Sequence, residues 1–281
     1  MAIDKSHRPV RHLTERVLDA ALLRGRVAAL SYRLGGLGRV GVRRYAVSLP
    51  PDRALARPLQ IAFASDFHAG PTTAPAVFDD LLACLRHERP DVLLLGGDYV
   101  SFDARHVDAL DGFLAAARAP LGAYAVIGNH DIWNGRQAVE AALRAAGVEV
   151  LVNRNVALSG PFAGVSLCGI DDPWTGAPDV DATFAGAGSV RIYLMHSPDG
   201  LALSKGRRFD LGLAGHTHGG QIARRGGAPL FTPSGPCSRD FIYGRYDVDG
   251  NGPLIVSRGV GCAAIPLRLN ADPELVVVSL G

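Results

Sequence analysis

His216 and His218 stand two apart in the run Gly215-His216-Thr217-His218-Gly219-Gly220. Far upstream, Asp66 and His68 repeat that spacing in Ser65-Asp66-Phe67-His68. Between the two pairs lie Asp98 after Gly96-Gly97, the run Gly128-Asn129-His130-Asp131, and His196. Carboxylates, imidazoles and an amide carbonyl, with no thiolate beside them, suit a hard or borderline cation. Such a set favours Mn, Fe, Zn or Mg over a soft metal. A loop can turn both members of either pair toward one ion. Asp98 is a lone carboxylate that can bridge two cations, and Asn129 offers a carbonyl oxygen. Each block alone is a weak signal, because short motifs match by chance and strand-end Asp or His often only caps a helix. Their joint order carries the weight.

What must position these residues is also legible. Short apolar runs at 59–65, 92–95 and 123–127 alternate with helical patterns at 74–87, 105–117 and 136–146. That rhythm predicts parallel strands covered by helices. Beyond residue 147 the pattern changes to strands at 149–152, 156–158, 165–168, 190–195, 211–214, 241–248, 254–257 and 275–279 with few helices between them. Two packed sheets with outer helices fit this better than one doubly wound sheet. Five of the runs end directly in the chemical blocks. Ligands of open α/β sheets bind beyond the carboxyl ends of strands, so the blocks converge on one rim.

The ordered set Asp66-Phe67-His68, Gly97-Asp98, Gly128-Asn129-His130-Asp131, His196 and Gly215-His216-Thr217-His218 resembles the calcineurin-like metallophosphoesterase family. The resemblance implies an α/β fold, a four-layer α/β/β/α sandwich of two mixed sheets. It also implies two divalent metal ions. Asp66, His68 and His218 would hold the first, Asn129, His196 and His216 the second, and Asp98 would bridge them. The implied chemistry is hydrolysis of phosphoester or pyrophosphate bonds by a metal-bridging hydroxide, with His130 as general acid. The run Gly215–Gln221 and the segment Ser257-Arg258-Gly259-Val260-Gly261 resemble a bacterial branch with phosphodiesterase-like and UDP-2,3-diacylglucosamine pyrophosphatase-like members, often membrane-associated. A phosphoester small molecule or a lipid-linked nucleotide is the implied substrate. The second block departs from the GDxxDR form of protein phosphatases, reading Gly97-Asp98-Tyr99-Val100-Ser101-Phe102. With that Arg missing, phosphate recognition falls to Arg258, Arg136 or Asn129. Asp172, in Asp171-Asp172-Pro173-Trp174, is expected to line the pocket or to support a ligating histidine.

Composition bounds the rest. The chain has 281 residues, 48% hydrophobic and 20% charged, which excludes a disordered protein. No apolar run of 18 residues occurs, and Arg24 and Arg26 interrupt the apolar stretch 17–30. A cytoplasmic protein with reduced thiols at Cys84, Cys168, Cys237 and Cys262 is expected. The net charge of +2 conceals an asymmetry. Residues 1–50 carry ten Arg or Lys against three acids, so the remainder is net negative. The sequence therefore divides into a basic helical arm, residues 1–44, and a metallophosphoesterase domain, residues 45–281. Residues 11–34 are expected to form a helix with Leu13, Val17, Ala20, Ala21, Val27 and Ala28 on one stripe. That arm either packs on the domain or lies on an anionic membrane surface, at the inner face of the cytoplasmic membrane. Nucleic acid is disfavoured by the acidic body. Two other functions compete with the enzyme: a catalytically idle metal-binding scaffold and a peripheral membrane interaction protein.

Overall fold

Strand β2, Leu59–Ala64, is an almost unbroken apolar run, as expected of a strand covered on both faces. In the computed structural model, which describes residues 17–281 apart from 205 and 234, it lies inside the first of two six-stranded sheets. The other members are β1 (Gly41–Val47), β3 (Val92–Leu95), β4 (Ala123–Ala125), β5 (Val148–Val150) and β12 (Glu274–Leu280). Their order is β1-β12-β2-β3-β4-β5, with β12 antiparallel to β2 and the other pairs parallel. The second sheet has the order β10-β11-β9-β8-β7-β6. It comprises β6 (Arg154–Ala157), β7 (Val165–Gly169), β8 (Val190–Leu194), β9 (Leu211–Ala214), β10 (Gly244–Tyr246) and β11 (Leu254–Val256). Its edge strands β6 and β10 are antiparallel to their neighbours.

The sheets pack face to face through Ile61, Phe63, Leu94, Leu167, Ile192 and Leu213. The outer face of the first sheet is covered by α2 (Ala76–Glu88), α3 (Asp111–Ala116) and α4 (Asn129–Ala145). Helix α2 buries Val77, Phe78, Leu81 and Leu85 on one stripe. It stops at Arg89, whose left-handed φ of 48° precedes Pro90. The outer face of the second sheet is covered more thinly, by α5 (Val180–Phe184) and loops over Tyr193, Phe209 and Val256. The result is the expected α/β/β/α sandwich.

Three local expectations are corrected. Helix α4 begins at Asn129, not at 136, because the Asp131 carboxylate accepts the Gly128 N–H (3.0 Å) and starts the first turn there. A break at Gly135 (φ 136°) hid the continuity. The patterned helix at 105–117 is a 3-10 segment, Ala104–Leu110, followed by α3. The arm is not one helix. Its first sixteen residues, with Leu13, lie outside the described residues, and the remainder breaks at Leu23, Arg24 and Gly25, all with positive φ. Helix α1, Arg26–Arg33, then packs on the body. Ala28 is buried, and Tyr32 donates to Asp80 (2.8 Å). Strand β1 follows, pairing along its length with β12, so the boundary drawn at 44 falls within a strand. No described helix is long and apolar enough to cross a membrane.

Candidate metal centre

The carboxyl ends of β2, β3, β8 and β9, with the start of α4, bring the five blocks together. Ligand atoms of Asp66, His68 and His218 lie within 4.8 Å of one another, and so do those of Asp98, His196 and His216. Asp98 joins the two groups. Its Oδ1 accepts the His130 backbone N–H at the start of α4 (2.8 Å). Its Oδ2 is left 3.6 Å from His68 Nε2 and 3.3 Å from His196 Nε2. Asn129 Oδ1 lies 3.0 Å from His196 Nε2, and His216 Nδ1 lies 3.2 Å from that same nitrogen. His68 Nε2 and His218 Nε2 face each other at 3.0 Å.

The backbone is bent to achieve this. Asp66, His68, Asp98, His216 and His218 all have left-handed φ, between 45° and 72°. That conformation is uncommon for residues other than glycine, and it clusters at functional sites where the surroundings enforce it. Gly97 (φ 90°) meets the same demand, and a Cβ there would approach Gly128 N to 2.6 Å.

The electrostatics ask for cations. Asp66, Asp98 and His196 are buried together. Burial pushes the Asp66 carboxyl up to about 6. Burial also works against the charge of Asp98, but His196, His130 and His68 outweigh it and hold that carboxyl well below the usual range. Burial opposes a charged His196 too, yet Asp98 and Asp66 raise its pKa well above the ordinary histidine value. Burial lowers His68, His218 and His216, the last to about 3. The fit to metal rests on these atoms. His196 Nδ1 can only donate to the Gly96 carbonyl (2.8 Å), so a neutral ring aims the lone pair of Nε2 at Asp98, Asn129 and His216. The raised pKa means that this Nε2 otherwise holds a proton among those acceptors, and a divalent cation would take the proton's place.

Comparison with known proteins agrees. The profile of calcineurin-like phosphoesterases matches residues 59–220. The chain belongs to that family. This calcineurin-like phosphoesterase is accordingly a metal-dependent phosphoesterase, a hydrolase of a family that uses divalent metals. It is 31% identical over 230 residues to phosphodiesterase YaeI of Escherichia coli, covering 80% of this chain and 83% of that protein. It is 30% identical over 206 residues to the metallophosphoesterase YkuE of Bacillus subtilis, covering 71% of each. Among solved structures it is similar to a 5'-nucleotidase precursor from Thermus thermophilus, with a TM-score of 0.44 and 18% identity. That likeness covers 79% of this chain and 55% of the other.

Around the phosphoesterase centre the remaining expected residues take distinct places. His130 packs edge-on against His68, with centroids 4.8 Å apart, and against Trp133 at 5.1 Å. Its Nδ1 donates to the Ser101 carbonyl (3.1 Å), which turns Nε2 away from the backbone. Asp131 is more than a helix cap. Its carboxylate also accepts the N–H groups of Asp98 (2.9 Å) and Tyr99 (2.7 Å), clamping the Asp98 loop to α4. Arg258 lays its guanidinium over the Tyr243 ring (3.7 Å to the centroid), and its side chain runs beside Gly219. Arg136 pairs with Glu140 (2.7 Å) and Asp171 (3.0 Å). Asp172 is fully buried, and its Oδ2 accepts from Trp174 N and Thr175 N. Its Oδ1 is buried without a hydrogen-bond partner among the described residues. The turn it builds presses Trp174 edge-on against His216 (4.7 Å), and Trp174 Nε1 donates to Asp199 (2.6 Å). His106 packs beside Gly70 with its Nε2 buried.

Sequence reasoning missed Arg268. Only 4% exposed, it donates to the carbonyls of Gly261 (3.0 Å), Ala271 (2.8 Å) and Arg258 (3.0 Å), and its Nη2 lies 3.2 Å from His218 Nδ1. Its one outward sign is position: a lone Arg between Leu267 and Leu269.

Proposed function

We propose that this phosphoesterase hydrolyses phosphodiesters at a centre of two divalent metal ions. The reading rests on one observation above the others: Asp98 Oδ2 lies within 3.6 Å of an imidazole nitrogen from each of two ligand groups. Asp66, His68 and His218 would hold one ion, Asn129, His196 and His216 the other, and Asp98 both. When bound, the ions supply Lewis acidity and a nucleophile at neutral pH.

The protein's own groups do the rest. The start of α4 fixes Asp98 through the His130 N–H, so the bridging oxygen does not wander. The Ser101 carbonyl fixes the His130 tautomer and leaves Nε2 to give a proton to the leaving oxygen. Arg258, beside Gly219, is the remaining candidate for a phosphoryl oxygen, since Arg136 is paired. The name of the Escherichia coli relative favours a phosphodiester over a monoester. Hydrolysis of bis-p-nitrophenyl phosphate with and without a chelator tests this. The reading requires release of p-nitrophenol that chelation stops and added Mn²⁺ restores. Release confined to the monoester p-nitrophenyl phosphate contradicts it.

A further inference from the structure

Ten large apolar side chains stand exposed among the described residues, and seven come from three segments that lie side by side. Leu30 and Leu34 come from α1 and its end, Leu230 and Phe231 from a hairpin, and Ile265, Leu267 and Leu269 from the segment before β12. Direct hydrogen bonds join these pieces side by side. Ser31 Oγ donates to the Pro266 carbonyl (2.6 Å), and the Arg268 N–H to Gly36 (2.7 Å). Gln221 Nε2 donates to the carbonyls of Ile265 (3.0 Å) and Leu267 (3.1 Å). The Ala223 N–H donates to Leu269 (2.8 Å), and the Leu230 N–H to Ile222 (2.9 Å). Leu34 is 78% and Phe231 74% exposed. A contiguous exposed apolar face on this scale marks an interaction site.

The charges name the partner. The three stretches that build the face, 23–39, 222–231 and 263–271, contain seven arginines and no acid. Arg39 pairs with Asp80, and Arg268 is buried. Arg24, Arg26, Arg33, Arg224 and Arg225 have no ionic partner among the described residues. A protein interface of this polarity requires a matching acidic partner surface, whereas an apolar face rimmed by unpaired arginines matches the boundary of an anionic bilayer. The face also adjoins the centre. Gln221 follows His218 by three residues, and Arg268 points inward to His218 between the outward Leu267 and Leu269.

We infer that this face docks on anionic lipid membranes and presents the centre to phosphodiesters carried by amphiphiles in the bilayer. The substrate part rests on the phosphodiesterase reading; the docking part does not. Co-sedimentation of the full chain with phosphatidylcholine vesicles, with and without phosphatidylglycerol, tests it. The wild type is expected to bind only the anionic vesicles. A Leu34→Ser/Phe231→Ser variant and an Arg224→Glu/Arg225→Glu variant should each lower the bound fraction about tenfold, while both hydrolyse soluble bis-p-nitrophenyl phosphate like the wild type. Absence of wild-type binding overturns the inference. Wild-type-like binding by both variants also overturns it, and loss in an Arg8→Glu/Arg11→Glu/Arg16→Glu variant alone would then assign docking to the arm. A wild-type dimer that Leu34→Ser/Phe231→Ser converts to monomer, with no vesicle binding by either, assigns the face to self-association and overturns it too. Failure to hydrolyse the soluble diester strikes the phosphodiesterase reading alone.

Discussion

The buried guanidinium of Arg268 lies 3.2 Å from Nδ1 of His218. A guanidinium only donates, so that nitrogen accepts, and a neutral His218 carries its proton on Nε2. That proton faces His68 Nε2 at 3.0 Å. Arg268 therefore fixes the ring plane of His218, a candidate metal ligand, while anchoring the segment that carries the exposed leucines.

Replacing Arg268 with Met leaves the carbonyls of Gly261, Ala271 and Arg258 without this donor. Each unsatisfied buried acceptor costs about 1–3 kcal/mol, so the loss should reach about 3 kcal/mol or more. Urea denaturation measures it. A change within about 0.5 kcal/mol, the range of an ordinary surface substitution, contradicts the anchoring role.

His130→Ala should retain bound metal and lose about 100- to 10,000-fold in turnover on an alkyl phosphodiester, the range of a general acid. The loss should be smaller on bis-p-nitrophenyl phosphate, whose leaving group needs little help. Equal losses on both substrates place His130 in binding instead of proton transfer.

The sequence already carried the ligand blocks and the two sheets, because apolar runs and strand-end Asp and His are local patterns. Strand β1 was not legible. Its run Gly41–Val47 contains Arg43 and Arg44 and lies at a sheet edge, where one side meets solvent. The roles of Arg268 and Asp131 were hidden for another reason. Each is defined by partners far along the chain or on another element, such as the contact from Asp131 to Tyr99, and spacing does not encode such contacts. The pairing of Arg136 with Asp171 was hidden in the same way, since it appears only once α4 meets the end of β7.

Asp131→Asn should destabilise the fold by about 2–4 kcal/mol, because an amide cannot accept from Gly128, Asp98 and Tyr99 together and turns N–H toward N–H. Thermal unfolding checks this. A melting temperature equal to that of the wild type removes the clamp from the account.

Asp199 gives a pH signature away from the ligands. Burial works against its charge, but donors from Trp174, Cys237, Ser238 and Ser197 outweigh it and hold its pKa below the usual aspartate value. A depressed carboxyl contributes stability that is complete above the unfolded pKa of about 3.9 and is lost as pH falls through the folded value. Stability of the wild type should therefore fall between about pH 5 and pH 3 more steeply than that of Asp199→Asn. Parallel curves contradict the assignment.

Asp98 is proposed to join two metal ions into one hydrolytic centre. Elemental analysis of Mn²⁺-loaded wild type and Asp98→Asn, with bis-p-nitrophenyl phosphate turnover measured on the same samples, tests it most directly. Supporting residues around metal ligands typically cost about 10- to 100-fold, so a ligand shared by both ions should cost more than about 100-fold. Two metal equivalents are expected in the wild type, fewer in the variant, and turnover lost with them. Full occupancy and undiminished turnover in Asp98→Asn would contradict it.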